Sequence, residues 1–284
     1  MESAMNVHFN TMVKNEGLLL DCVLPIWKTY AVDQFVFYDD NSTDNTLEVI
    51  AKHLPPERYV IYNDKLPAFN EAYHRSKMLQ HSRKKRADYV LSIDADELLS
   101  ANLCNDLGDV LKEYETKDIW LFWYNVVGDS LNQTRNDPAY VNNYRSFILP
   151  LKHTGNLDLS QWKYHTPRVP LVNLPKAHTK DYGVLHLQAI NRRFYALKQL
   201  WYKHYESVNY NHSIEDINRR YDPVVNGLSF CAVQTPSLIV GDLQFDSFVF
   251  DTIEEIRQHK KYVLEHANTA LITFGKEYLG ENKL

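Results

Sequence analysis

The sequence predicts an α/β protein in which an open, mostly parallel sheet is covered by helices. Three observations predict it. Through the first hundred residues, short runs rich in valine, isoleucine, phenylalanine and tyrosine alternate with segments of helical periodicity, the pattern of β-α-β units. Each apolar run closes on a polar or acidic cluster, as strands do where loops converge at one edge of a sheet. The composition, 44% hydrophobic and 24% charged over 284 residues, allows one large domain with a substantial core.

Residues 7–13, VHFNTMV, predict the first strand, and residues 16–30 a helix that Pro25 kinks or ends by removing a backbone donor. QFVFYDD (34–40) is the second strand; after it Ser42, Thr43 or Asp44 can cap a helix. RYVIYND (58–64) is the third strand, 67–85 a helix with Ala68, Ala72, Met78 and Leu79 on its apolar face, and YVLSID (89–94) the fourth strand. The basic run Arg83-Lys84-Lys85-Arg86 falls at the end of that helix, where positive charge complements the helix dipole. Beyond residue 105 the alternation loosens. DIWLFWYNVV (118–127) is an aromatic strand, and 128–143 a long polar loop of the kind that is more often functional than idle. Short strands are expected near 144–150, 168–174 and 183–189, and helices over 189–208 and 251–279. No repeat or glycine-serine linker divides the chain, so residues 1–284 are expected to form a single domain with halves 1–104 and 105–284.

The strand ends carry the chemistry. They read Val13-Lys14-Asn15-Glu16, Asp39-Asp40-Asn41-Ser42-Thr43-Asp44, Asn63-Asp64-Lys65 and Asp94-Ala95-Asp96-Glu97. Any one cluster is more often a turn or a helix cap than a site. Four in succession, two with more carboxylates than a cap uses, point to a ligand. If Asp94-Ala95-Asp96 continues an extended strand, both carboxylates point the same way and can address one centre. Such hard oxygen donors suit Mg2+ or Mn2+, which complete their shells with substrate phosphates.

VKNEG, VDQFVFYDDNSTDNT and ADYVLSIDADE, in this order and spacing over residues 5–100, resemble the GT-A glycosyltransferases of the family 2-like group. LPIWKTYAVDQFVFYDDNSTDNT also resembles the family 92-like relatives, and the chain length is similar to that of small soluble transferases of large algal viruses. The resemblance implies the nucleotide-diphospho-sugar transferase fold, with 1–104 binding the donor and 105–284 the acceptor. It implies that Val13, Lys14, Asn15 and Glu16 line the nucleotide pocket and that Asp39 or Asp40 accepts a hydrogen bond from base or ribose. Asn70 and Arg75 approach the sugar and phosphates, Asp94 and Ala95 face the donor, and Asp96 holds the metal. Glu97 either joins them or favours the start of the next helix. His186, in GVLHLQAINRRF ahead of Arg192, Arg193 and Lys198, is a further metal or diphosphate contact, with His165, Arg168 and His178 as weaker candidates.

An inverting transfer needs a general base on the acceptor hydroxyl. Asp129, Asp137, Asp158 and Asp181 follow the motif, and Asp158 is preferred because Gly155 and Trp162 flank it. The signatures of processive synthases are absent, which leaves the base unmarked. Aromatic residues reach 13%; Trp123, Tyr124 and Trp162, near loops, are the ones suited to stack on sugar faces. The expected function is a metal-dependent, inverting transfer from a nucleotide-diphospho-sugar, UDP-linked by family habit, to a glycan hydroxyl. The alternatives are a non-catalytic nucleotide-sugar or carbohydrate-binding protein of the same fold, or a phosphohydrolase, although Leu98 stands where those enzymes place threonine.

Bulk properties set limits. A net charge of −5 and a pI near 6.2 offer no basic face for a phosphate backbone, so nucleic acid is not an expected partner. Three scattered cysteines fit a reducing compartment, and three formal glycosylation sequons are read as coincidence. No apolar stretch reaches the ~20 residues that cross a bilayer and no signal peptide opens the chain, so a cytoplasmic location is expected, in a host cell if the gene is viral.

Overall fold

The computed structural model of the chain describes residues 5–66, 69–127, 133–135, 143–154, 168–170, 172–189, 199, 202, 203, 206, 207, 212–226 and 230–232. In chain order its elements are β1 (Val7–Val13), α1 (Gly17–Trp27), β2 (Gln34–Asp39), α2 (Thr46–His53), β3 (Tyr59–Tyr62), α3 (Glu71–Lys84), β4 (Tyr89–Ser92), β5 (Glu97–Leu99) and α4 (Ala101–Glu113). They continue with β6 (Asp118–Val127), β7 (Gln133–Arg135), β8 (Tyr144–Pro150), β9 (Lys176–Ala189), α5 (Ile214–Asn226) and β10 (Phe230–Ala232). Two compact units emerge: Met1–Tyr124 with Asn142–His186 and Thr235–Leu243, and Asn125–Val141 with Leu187–Gln234 and Gln244–Leu284.

In the first unit β4, β1, β2 and β3 run parallel, β8 joins β4 antiparallel, and β6 joins β8 antiparallel. The four parallel strands are the ones the alternation predicts, and the antiparallel β8 and β6 make the sheet a mixed one rather than the mostly parallel one expected. β1 sits at its middle and is buried along almost its whole length, as a strand covered on both faces must be. One cover is α1, whose Leu19, Leu20, Val23, Leu24 and Trp27 form a buried stripe at helical spacing. Trp27 meets Phe9 at 4.7 Å between ring centroids, and Phe9 meets Phe35 at 5.2 Å. Pro25 lies inside the helix, which ends two residues later, at Trp27.

The buried stripe of α3 is unusual. His74, Arg75, Met78, Leu79 and Ser82 keep helical spacing, but three of the five are polar. Met78 and Leu79 pack on the sheet. Ser82 bonds Asn10 of β1 (3.2 Å) and His8 (3.1 Å), while Arg75 points toward the strand ends. The helix begins at Glu71, with Asn70 as its cap; Pro67 and Ala68 lie outside the described residues.

Two expectations are corrected. The fourth strand stops at Ser92, and Asp94 to Glu97 make a turn closed by the Glu97 N–H on the Asp94 carbonyl (3.0 Å). After that turn the chain forms β5, not a helix. β5 pairs antiparallel with β9, and Trp27 and Tyr30 fix its backbone: Trp27 Nε1 donates to the Glu97 carbonyl (3.0 Å) and Leu99 N–H donates to the Tyr30 hydroxyl (2.9 Å). Glu97 therefore does not start a helix; α4 begins at Ala101. The second correction is that 168–170 and 172–174 form bends, and β9 is longer than expected, from Lys176.

In the second unit β7 pairs antiparallel with β10 and with β6 at Val126. Tyr221 and Arg220 of α5 each donate to the buried Glu206 carboxylate at 2.6 Å. β7 falls within the expected polar loop 128–143, the rest of which, up to Val141 and Asn142, lies outside the described residues, as does the expected helix 251–279. Among the described residues no helix is long and apolar enough to cross a membrane.

Candidate active site

Three of the parallel strands end in a residue of left-handed backbone conformation: Asn15 (φ 52°) after β1, Asn41 (φ 58°) after β2 and Lys65 (φ 50°) after β3. These sharp exits bring the loops together at one edge of the sheet. Asparagine tolerates this conformation better than most residues, which accounts for two of the three.

Asn15 joins the first two loops. Its side-chain carbonyl accepts from the backbone of Thr43 (2.7 Å) and Asp44 (3.4 Å), and its own N–H donates to Ser42 Oγ (2.9 Å). In the other direction the Asp44 carboxylate accepts the Gly17 N–H (3.0 Å), and Thr46 Oγ1 accepts the Glu16 N–H (2.9 Å). The start of α1 is thus capped by the β2 loop, because no side chain of its own does so. A Cβ on Gly17 would stand 2.1 Å from Asn45 Oδ1, so any side chain here would push the Asn45 amide aside.

Asp39 and Asp40 are both buried at this edge, with distinct partners. Asp39 accepts from Asn63 Nδ2 (2.7 Å) and from the Ser42 N–H, and Asp40 from Lys14 Nζ (2.7 Å). His74, fully buried and stacked on Tyr38 at 3.9 Å, holds Nε2 3.7 Å from Asp40. Val13 is buried at the strand end, and its carbonyl accepts the Asp40 N–H. The Asn70 side chain accepts the Tyr73 N–H (3.0 Å), the work of a helix cap.

The second cluster forms around the β4–β5 turn. Asp94 and Asp96 do not share one face of a strand, because β4 ends at Ser92 and residues 94–97 form a turn. Asp94 Oδ1 accepts from Arg75 (3.2 Å), and Asp94 Oδ2 pairs with Arg168 (2.7 Å). Arg75 is buried and also bonds Glu71 (2.9 Å) and Ser92 Oγ (3.0 Å). Asp96 Oδ2 stands 3.5 Å from His186 Nε2.

Glu97 is fully buried beneath them. Its Oε2 accepts the Asp94 N–H (2.9 Å) and Arg168 Nε (3.1 Å); its Oε1 accepts Trp123 Nε1 (2.7 Å) and the Arg168 NH2 group. Glu97 lies directly across from His186 in the β5–β9 pairing, and Trp123 of β6 stacks on the His186 ring at 4.4 Å. Arg168 lies over Trp123 (5.1 Å) and Phe147 (5.2 Å). Burial works to raise the Asp94 carboxyl, but Arg168 and Arg75 hold it below the ordinary carboxylate value. The same carboxylates outweigh burial at Arg168 and raise its pKa.

The structure thus brings together Lys14, Asn15, Asp39 and Asp40 in one group, and Arg75, Asp94, Asp96 and His186 in another. Glu97 and Trp123 organise the second group and carried weaker sequence signals. Asp181 is exposed in β9, and His178 stacks on Tyr144 (5.0 Å) away from the acidic turn. Asp158, together with Asp129, Asp137, Trp162, His165, Arg192, Arg193 and Lys198, lies outside the described residues. Among the described residues no three His, Cys, Asp or Glu side chains form a metal-holding group. Asp96 and His186 nonetheless fit a divalent cation that takes its other ligands from phosphate and water, since a carboxylate and an imidazole this close are a donor set Mn2+ accepts.

Among solved structures the chain is similar to S. aureus TarS 1-349, with TM-score 0.49 and 12% identity over 94% of this chain and 81% of that one. A second S. aureus TarS structure gives TM-score 0.49 and 13% identity over 76% of this chain and 42% of that one. GalNAc-T7 with UDP, GalNAc and Mn2+ gives TM-score 0.45 and 11% identity over 78% and 55%. No curated protein sequence matches the chain significantly. The sequence profile of glycosyl transferase family 2 matches residues 10–167, a stretch that begins within β1 and includes both acidic clusters, so the chain belongs to glycosyl transferase family 2 and is a glycosyltransferase of the GT-A fold.

Proposed function

We propose that this glycosyltransferase takes its sugar from a nucleotide-diphospho-sugar, UDP-linked, and delivers it with inversion to a hydroxyl of a glycan, using Mn2+ or Mg2+. The observation that carries the reading is the pair of polar clusters on one edge of the sheet. One is built of Asp39, Asp40 and Lys14, and the other of Asp94, Asp96 and His186. The first suits a base and ribose, because Asp39 and Asp40 are fixed acceptors on the joined β1 and β2 loops. The second suits a diphosphate and its cation.

Asp96 and His186 are the residues that would hold the metal. When bound, the metal supplies Lewis-acid stabilisation of the charge that develops on the leaving diphosphate. Asp94, held by two arginines, presents a fixed acceptor to the donor, and Arg75 sets its angle. Trp123 stacks on His186 beside the acidic turn, and Asp158 is our assignment for the base that takes the acceptor proton.

Thermal stabilisation and hydrolysis of a panel of nucleotide-sugars with Mn2+, in native protein and in Asp96→Ala, tests the reading. UDP-sugars are expected to raise the native melting temperature and to turn over, with turnover lost by at least about a hundredfold in the variant. Stabilisation without turnover would instead favour a binding protein of the same fold.

A further inference from the structure

His74 is fully buried on the first turn of α3, and among the described residues neither of its ring nitrogens has a hydrogen-bond partner. A buried imidazole left in this state lowers stability, and such groups are rare enough to call for an explanation. The ring is held in one plane: it stacks on Tyr38 at 3.9 Å with 16° between the planes, and Phe69 meets it edge-on at 5.4 Å. In that plane Nε2 faces Asp40 Oδ1 across 3.7 Å, just beyond hydrogen-bond reach. The other oxygen of Asp40 accepts from Lys14 Nζ at 2.7 Å.

We propose that His74 is a positioning residue for the nucleotide: its ring holds an Nε2–H in reserve and donates it to Asp40 Oδ1 when a nucleotide occupies the β1 and β2 loops. The inference rests on the nucleotide site proposed above. The reserve has a use because the Lys14–Asp40 pair is open to competition. Lys14 has a side chain 38% exposed against 5% for Asp40, so an anionic donor can draw on the ammonium while the carboxylate stays buried. A buried carboxylate whose partner slackens needs another donor, and His74 Nε2 has only about half an ångström to move to become one. A carboxylate tied at one oxygen still turns about its last bond; tied at both, it presents a fixed edge to the ligand. The donor is a neutral one. Burial lowers the pKa of His74 to about 4 against the opposing pull of Asp40, and Lys14 and Arg75 add to the lowering, so at pH 7 the ring has one N–H and no charge.

Calorimetric titration of UDP in the presence of Mn2+ at pH 7 tests this in native protein, His74→Phe, His74→Gln, Asp40→Asn and the double variant His74→Phe with Asp40→Asn. His74→Phe keeps a ring on Tyr38 without a donor and is expected to bind UDP about tenfold more weakly than native, the effect of one hydrogen bond to a charged group. His74→Gln restores an N–H and should fall within about threefold of native. In the Asp40→Asn background, His74→Phe should change affinity by less than about twofold, because its effect passes through the carboxylate. A role in packing alone would not cancel in this way. A folded His74→Phe that binds UDP as tightly as native overturns the assignment, and so does a loss that persists in the Asp40→Asn background. If His74→Phe does not fold, the imidazole N–H proton spectrum of native protein decides: UDP is expected to move the His74 Nε2–H resonance downfield, and a resonance that UDP leaves in place overturns the assignment. UDP binding that Asp40→Asn weakens and a folded His74→Phe does not upholds the nucleotide site and overturns only the role of His74; native protein that binds no UDP overturns both.

Discussion

A buried carboxylate is tolerated only when its lone pairs are filled, and Glu97 accepts one backbone and three side-chain donor contacts while fully buried. Breaking such a pair by removing one charge typically costs about 3 kcal/mol or more, so Glu97→Gln should lower stability by that order and reduce transfer further, since Asp94 loses its anchored partner. Denaturant unfolding and steady-state kinetics on the same sample check it; a variant as stable and active as native would sink the role assigned to Glu97. Trp123→Phe keeps the ring over His186 but loses the indole donor to Glu97, and about 2 kcal/mol is expected from a hydrogen bond to a charged group. Gly183 shows a different constraint. A Cβ there would lie 2.8 Å from the Phe122 carbonyl oxygen and 2.5 Å from the Tyr124 ring, so Gly183→Ala should destabilise by about 2 kcal/mol, read as a lower unfolding midpoint at unchanged slope.

At the scale of elements, the polar stripe of α3 couples packing to the site. Met78 and Leu79 seat the helix on the sheet, and that seating delivers Arg75 to Asp94. Asn70 holds the first turn, so Asn70→Ala should cost about 1 kcal/mol and loosen Arg75 along with it. Strands β1, β6 and β8 were legible residue for residue, because each is an uninterrupted run of strand-forming side chains. β5 was not legible. Three residues are too few to show alternation, and a glutamate ahead of Leu98 and Leu99 reads as a helix start until β9 is known to pair with it. Arg168 was read only as a weaker candidate, because its partners lie about seventy residues earlier in the chain and no local pattern reports a contact of that range. The acidic motif itself was legible; the division of labour within it was not, since the turn at Asp94 to Glu97 is set by the β5–β9 pairing.

For the whole molecule, buried histidines set the response to acid. Burial lowers the pKa of His8 and of His74 to about 4, from an ordinary value of 6.5. Between those values the unfolded chain binds more protons than the folded one, so stability falls as pH drops through the window and is flat above it. At pH 5 each histidine should withdraw about 2 kcal/mol. Neither nitrogen of His74 has a hydrogen-bond partner among the described residues, so His74→Phe should keep the stack on Tyr38 and make the decline between pH 7 and pH 5 shallower. An unchanged decline in urea titrations of the variant would place the proton uptake elsewhere.

The stitching of the β1 and β2 loops by Asn15 has a consequence for how a donor arrives. Two loops tied by reciprocal side-chain bonds have lost their conformational freedom when the chain folds, so at the nucleotide site proposed above a donor has little left to order. Capture should then resemble collision with a finished surface, its rate set by diffusion and orientation and not by loop rearrangement. Asn15→Ala would convert the same encounter into one that must wait for the loops, and its signature is a slower association phase that no longer rises linearly with donor concentration.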